Sequence, residues 1–312
     1  MPIPLTGTQH EISAGDYTAT VTELGAGLRE LRHRGRSLLA GYEVGQLPPA
    51  GAGQLLAPWP NRVDGGRYCV DGRHFQLDLS EPAAANAIHG LTRWANWTPD
   101  EQDEDRVWLH HNLLGRPGYP FCLHLEAEYR LDPEAGLRFE LTARNDGSER
   151  APYGTGSHPY LTAGTARVDE CELTLPAARW QPASDRGIPF GPAQDVGDSP
   201  YDFRTARPIG DVRLDHAFTD LLRDSDGRAS VRLTGPVKGE GEVGGVTLWV
   251  DEGYRWLQVF TGDPLDEQHR RRALAVEPMS CPPNAFVTGT DLLVLEPGQT
   301  VRHSWGVQAL AG

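Results

Sequence analysis

Eleven histidines and forty-three acidic residues give this chain ample material for proton transfer, and a few of them stand in unusual settings. His158 lies in Ser157-His158-Pro159-Tyr160, His89 precedes Gly90, and Glu277 opens Glu277-Pro278-Met279 ahead of Pro282-Pro283-Asn284-Ala285-Phe286. Asn61-Arg62 and Asp215-His216-Ala217-Phe218 add two further polar clusters. An imidazole and a carboxylate brought together can serve as general acid and general base. Taken singly, each residue has a plainer reading: a His beside Pro or Gly is more often a turn or a hydrogen-bonded core residue, and Asn-Arg is usually surface.

Other chemistries are poorly served. Lys238 is the single lysine, so a Gly-Lys-Ser/Thr phosphate loop is excluded and a Schiff-base enzyme would depend on that one residue. Gly239-Glu240-Gly241-Glu242-Val243-Gly244 has the spelling G-x-G-x-x-G, but the strand-like Gly245-Val246-Thr247-Leu248-Trp249-Val250 follows it where a dinucleotide site needs a helix N-terminus. The nucleophile-elbow and zinc-protease patterns are absent. Cys69, Cys122, Cys171 and Cys281 stand far apart with no histidine at zinc-finger spacing, which reads as free, mostly buried thiols and no metal.

The elements that must position these residues are strands. Leu123, Leu125, Ala127, Tyr129 and Leu131 alternate with polar neighbours, Asp132 to Gly136 supplies a turn, and Leu137, Phe139, Leu141 and Ala143 resume the period. A second hairpin, residues 67–70 and 73–77, flanks Asp71-Gly72, a pair suited to a type I′ turn. Further strands are expected over 17–24, 107–113, 170–175, 230–233, 246–250, 256–260, 292–295 and 301–307, with Pro297-Gly298 turning between the last two. Residues 263–274 could hold a short helix with Arg270-Arg271-Arg272 as its solvated face, and the proline-rich stretch 180–211 reads as a long loop excursion within one domain.

Gly (36) and Pro (25) make up about a fifth of the 312 residues, as a turn-rich β protein requires. The fold expected is all-β, a large single-domain antiparallel β-sandwich over residues 1–312. A formal charge of −14 disfavours nucleic acid or an anionic membrane surface as partner and suits a neutral or cationic small molecule. The chain shows neither a signal-peptide pattern nor an apolar run of membrane-spanning length, so a cytoplasmic protein is expected.

Together and in this order, five of these clusters resemble the aldose 1-epimerase (galactose mutarotase) family: Asn61-Arg62 followed by Gly66-Arg67-Tyr68, His89-Gly90, His158-Pro159-Tyr160, Asp215-x-x-Phe218, and Glu277-Pro278-Met279 leading to Pro283-Asn284-Ala285-Phe286. The resemblance spans residues 61–286 and implies a large antiparallel β-sandwich. It also implies that Glu277 is the general base, His158 the general acid, and His89 a neighbour of the ring oxygen and anomeric centre. Arg62, Asn61 and Asp215 would hold sugar hydroxyls, with no cofactor or metal. The segment Leu91-Thr92-Arg93-Trp94 departs from the longer Gly- and Phe-containing stretch of better-known galactose mutarotases, which bears on the sugar rather than on the chemistry.

The activity expected is interconversion of the α- and β-anomers of a free aldohexose. A hexose-6-phosphate 1-epimerase is the nearest rival, with Arg93 as the residue that would meet a phosphate. A non-catalytic sugar-binding module and a two-carboxylate glycosidase stand further off. His158 and Glu277 are expected within about 10 Å of one another, in one cleft with His89 and Asp215. Trp94 and Trp97 could lie against the apolar face of a pyranose, but aromatics are more often core and that is where each is expected.

Overall fold

The computed structural model describes residues 3–236 and 243–311. Lys238 and the first four residues of the Gly239 to Gly244 stretch lie outside them. Among the described residues the chain builds a nine-stranded and an eight-stranded antiparallel sheet, with a four-stranded sheet of residues 9–37 at the N-terminus.

The strongest period-2 segments become the longest strands. Leu123–Asp132 and Gly136–Asn145 pair along their whole length, and their alternate residues Leu125, Ala127, Phe139 and Leu141 are fully buried. Thr300–Ala311 joins this hairpin to Val243–Val250 in the middle of the nine-stranded sheet. The Asp71-Gly72 turn has positive φ at both residues, as a type I′ turn demands. The other expected strands form within a few residues of their anticipated ends, Trp256–Phe260 among them.

In the eight-stranded sheet every residue of Leu274–Met279 is buried, but the two faces differ. Successive side chains point to opposite sides. Leu274 and Val276 join the main core with Leu257 and Val259, whereas Ala275, Glu277 and Met279 face the other way. The main core therefore lies to one side of the sheet, and its other side is left for polar groups.

Several expectations change. Residues 263–272 form successive turns rather than a helix: the one helical bond, from the Arg270 N–H to the Asp266 carbonyl, is not continued because Arg271 adopts positive φ. Arg271 is no solvated face: it is buried and bonded to Asp169 and Asp263. The thiols are all free, but Cys69 is exposed and Cys122 only half-buried, because each sits on or beside a surface strand. The excursion over 180–211 is partly ordered into strands: Gln194–Asp195 edges one large sheet and Arg207–Pro208 the other. No helix among the described residues is long and apolar enough to cross a membrane.

Candidate active site

The polar face of the eight-stranded sheet sets three side chains in a row by register alone. Gln258 pairs with Glu277, Ala217 pairs with Gln258, and Asp215 lies two residues from Ala217 on the same face. Gln258 Nε2 donates to Asp215 Oδ1 at 2.7 Å. Glu277 is 2% exposed at the floor of the cleft, while Asp215 reaches its open rim.

His158 arrives from the chain between Gly156–Ser157 and Tyr160–Leu161, both paired in the same sheet. Its N–H donates to the Gln54 carbonyl, and its own carbonyl accepts from Gly53. The Tyr160 ring stacks on the imidazole at 5.0 Å, and a Cβ at Gly51 would stand only 3.0 Å from the ring, so glycine there lets the loop close over His158. Beneath it, Trp305 of the nine-stranded sheet donates from Nε1 to Ser157 Oγ at 3.0 Å, tying the two large sheets together next to the imidazole.

The remaining groups come from loops with strained backbone. Asn61, His89 and Asn284 all have positive φ, which non-glycine residues seldom adopt and which concentrates at functional sites. Gly90 follows His89 at φ +68°, where a Cβ would lie 2.1 Å from the Ala57 carbonyl oxygen. The His-Gly pair is thus a close backbone crossing that aims His89 into the cleft. The His89 and His158 rings meet edge-to-face at 5.4 Å.

His158 Nε2 lies 3.4 Å from Glu277 Oε1, and both groups are buried. Burial holds His158 down at about 4, with Arg93 and Arg62 adding to the effect, and pushes His89 well below its ordinary value. Burial likewise raises Glu277 well above the usual carboxylate range, reinforced by Asp215 and opposed by Arg62. Glu277 Oε2, Gln258 Oε1 and Nδ1 of both histidines have no hydrogen-bond partner among the described residues. Buried polar atoms are rarely left so, and a cleft lined by these side chains suits a polyhydroxylated ligand.

Arg62 is held at the rim by Glu81 through two parallel bonds of 2.9 and 3.0 Å, and Glu81 also accepts from Asn86. Its other neighbours there are Asn61, Gln181, Gly187 and Asp215, so the 180–211 excursion forms a wall of the cleft. Arg93 is half-buried and acts electrostatically on both histidines. Its neighbour Trp94 is exposed rather than in the core, whereas Trp97 is buried. A 91–94 segment turned outward at Trp94 accounts for the difference.

All seven residues singled out from sequence therefore lie in or around one cleft. Sequence reasoning missed Gln258, Glu81 and the part played by Tyr160. Gln258 and Glu81 carry no local signal, whereas Tyr160 stood in plain view beside His158. Sequence spacing also gave no hint that His89, His158 and Glu277 offer ligand atoms within 4.8 Å of one another, a set that could hold a metal ion.

Comparison with known proteins bears on the family and the fold. Residues 8–308 match the family model described as aldose 1-epimerase. The chain is 37% identical to the Escherichia coli (strain K12) protein YihR over 95% of its own length and 91% of that protein's. It is 25% identical to the aldose 1-epimerase of Haemophilus influenzae over 74% of this chain and 70% of that one. Among solved structures, a putative aldose 1-epimerase from Escherichia coli K12 superposes with a TM-score of 0.81 at 21% identity, covering 97% of this chain and 99% of that one. With the galactose mutarotase-like fold and a match across nearly its whole length, this chain belongs to the aldose 1-epimerase family.

Proposed function

We propose that the protein catalyses mutarotation of an aldohexopyranose, with Glu277 as general base and His158 as general acid. The observation that carries this reading is the buried 3.4 Å approach of His158 Nε2 to Glu277 Oε1. The anomeric hydroxyl and the ring oxygen hang on the same carbon, C1, so two groups this close together can reach both. Glu277 takes the proton of the anomeric hydroxyl while His158 delivers one to the ring oxygen. The C1–O5 bond breaks and an open-chain aldehyde forms. Rotation about C1–C2 presents the other aldehyde face, and the reverse transfers close the ring as either anomer.

The pair holds one proton between its two members throughout. Ring opening uses the form with carboxylate and imidazolium; ring closure uses the carboxylic acid and neutral imidazole that opening leaves behind. Burial disfavours charge on both groups, so the free site rests in the neutral form, and the short contact lets the proton cross without leaving the cleft. His89 addresses the ring oxygen and anomeric region, and Asn61, Arg62 and Asp215 bond hydroxyls around the ring. Each positioned acid or base is worth roughly 10²–10⁴-fold. That scale suits a reaction which also proceeds unaided in water.

Polarimetry on freshly dissolved α-D-glucose and α-D-galactose, with and without the protein, tests the reading. Accelerated relaxation to the equilibrium rotation is expected. A flat trace with these sugars and with their 6-phosphates would turn the assignment to a sugar-binding module.

The free-aldose expectation rests on the resemblance of the motifs to the galactose mutarotase pattern and on the acidity of the whole chain. Local potential decides recognition, and the surroundings of Arg93 bear on it directly.

A further inference from the structure

Two arginines overlook the cleft, and their circumstances differ. Arg62 is neutralised by its two-bond pairing with Glu81. Arg93 has no hydrogen bond or ion pair from its guanidinium to any described residue; its one close partner is the Trp94 ring, 5.5 Å from the guanidinium carbon. Glu81, the acid whose charge it senses, already has both oxygens taken by Arg62 and Asn86. Among the described residues every other arginine that is not exposed donates to a carbonyl or carboxylate oxygen, as Arg271, Arg223 and Arg179 show. A half-buried guanidinium has lost much of its hydration, and leaving it unpaired is unfavourable. Partly sheltered arginines elsewhere in this chain avoid that condition.

The position of Arg93 indicates which part of a sugar it would meet. Gln54 ties Arg93 to His158: its Nε2 donates to the Arg93 carbonyl at 3.2 Å, and its own carbonyl accepts from the His158 N–H at 3.0 Å. Both histidines feel the charge of Arg93 as well as that of Arg62, whereas Glu277 feels Arg62. Arg93 is thus on the imidazole side of the cleft. With His158 at the ring oxygen and Glu277 at C1, the ring atom on the far side of that oxygen is C5, which carries C6.

Resting on the epimerase reading above, we propose that Arg93 recognises an oxyanion on C6, so that the preferred substrate is an aldohexose bearing a phosphate, sulfate or carboxylate there. The planar guanidinium offers paired N–H donors suited to such a group, and the neutral histidines beside it leave its positive charge unopposed on that side.

The test compares kcat/KM for anomer exchange of glucose, glucose 6-phosphate, glucose 6-sulfate and glucuronate in the wild type, Arg93→Gln and Arg93→Lys, by polarimetry or exchange NMR. At least one anionic sugar is expected to exceed glucose tenfold or more, and its identity names the oxyanion. That ratio should fall at least tenfold in Arg93→Gln and be partly retained in Arg93→Lys. Glucose handled as well as every anionic sugar, or a preference that survives Arg93→Gln, overturns the assignment while leaving the epimerase reading intact. A folded wild type inert toward all four sugars overturns both.

Discussion

The protein buries histidine in two places, and the contrast separates a site from a core. His303, on the nine-stranded sheet, is 3% exposed, and burial holds its pKa down at about 4. By those measures it matches His158. Its neighbours, however, are the rings of Tyr153 at 6.0 Å and Tyr254 at 5.4 Å. The nearby Asp251 spends both carboxylate oxygens on backbone N–H groups of Gly253 and Ser304. His158 instead faces an uncommitted carboxylate at 3.4 Å and a second imidazole, held by loops in left-handed backbone. Desolvation alone is therefore no mark of function; convergence with a partner of complementary proton demand is.

The largest test of this contrast removes the pair. Glu277→Gln keeps size and hydrogen bonding without basicity, and His158→Asn removes the proton donor. Each is expected to lower kcat by roughly 10²–10⁴-fold, while the melting temperature of Glu277→Gln stays close to that of the wild type, because the buried carboxyl of the free site is already neutral. Near wild-type mutarotation in either folded variant would remove its assigned role.

Next in size is the pH profile. Activity needs one proton on the pair, so kcat/KM should be bell-shaped, with limbs belonging to the pair as a whole. The depressed His158 moves the acid limb below the ordinary imidazole value, and the raised Glu277 moves the other limb above the ordinary carboxylate value. The active window therefore opens below the ordinary imidazole value and closes above the ordinary carboxylate value. An acid limb at or above the ordinary imidazole value would contradict it.

His303→Phe should leave kcat/KM within about twofold yet alter acid stability. His303 takes a proton less readily folded than unfolded, so the unfolded chain gains protons first as pH falls from about 6.5 toward about 4, and stability is lost across that window. Phe removes this share, on the order of 1–3 kcal/mol at the acid end, with no effect above pH 7. Urea unfolding at pH 5 and pH 7.5 measures it; an equal change at both values would show packing rather than proton linkage.

The smallest expected effect is none. Although His89, His158 and Glu277 could together hold a metal ion, the proton-transfer reading needs none, and dialysis against a chelator should leave the rate unchanged. Activity lost in chelator and restored by a divalent ion would move those three residues from proton transfer to ligation.

Read alone, the sequence determined the strands and offered the candidate reacting groups. Period-2 alternation from Leu123 to Ala143 and the Asp71-Gly72 turn are local signals, and local steric preferences decide them. The ordered clusters around Asn61, His89, His158, Asp215 and Glu277 named the side chains. Only the tertiary structure decided which of them meet. Glu277 touches His158 across more than a hundred residues of chain because strand register puts Glu277, Gln258 and Asp215 on one face and leaves the hydrophobic core on the other. The burial of Arg271, the clamp of Glu81 on Arg62 and the unpaired state of Arg93 likewise depend on partners far away in sequence. Pairing of charges is a matter of distance and desolvation, and neither exists until the chain has folded.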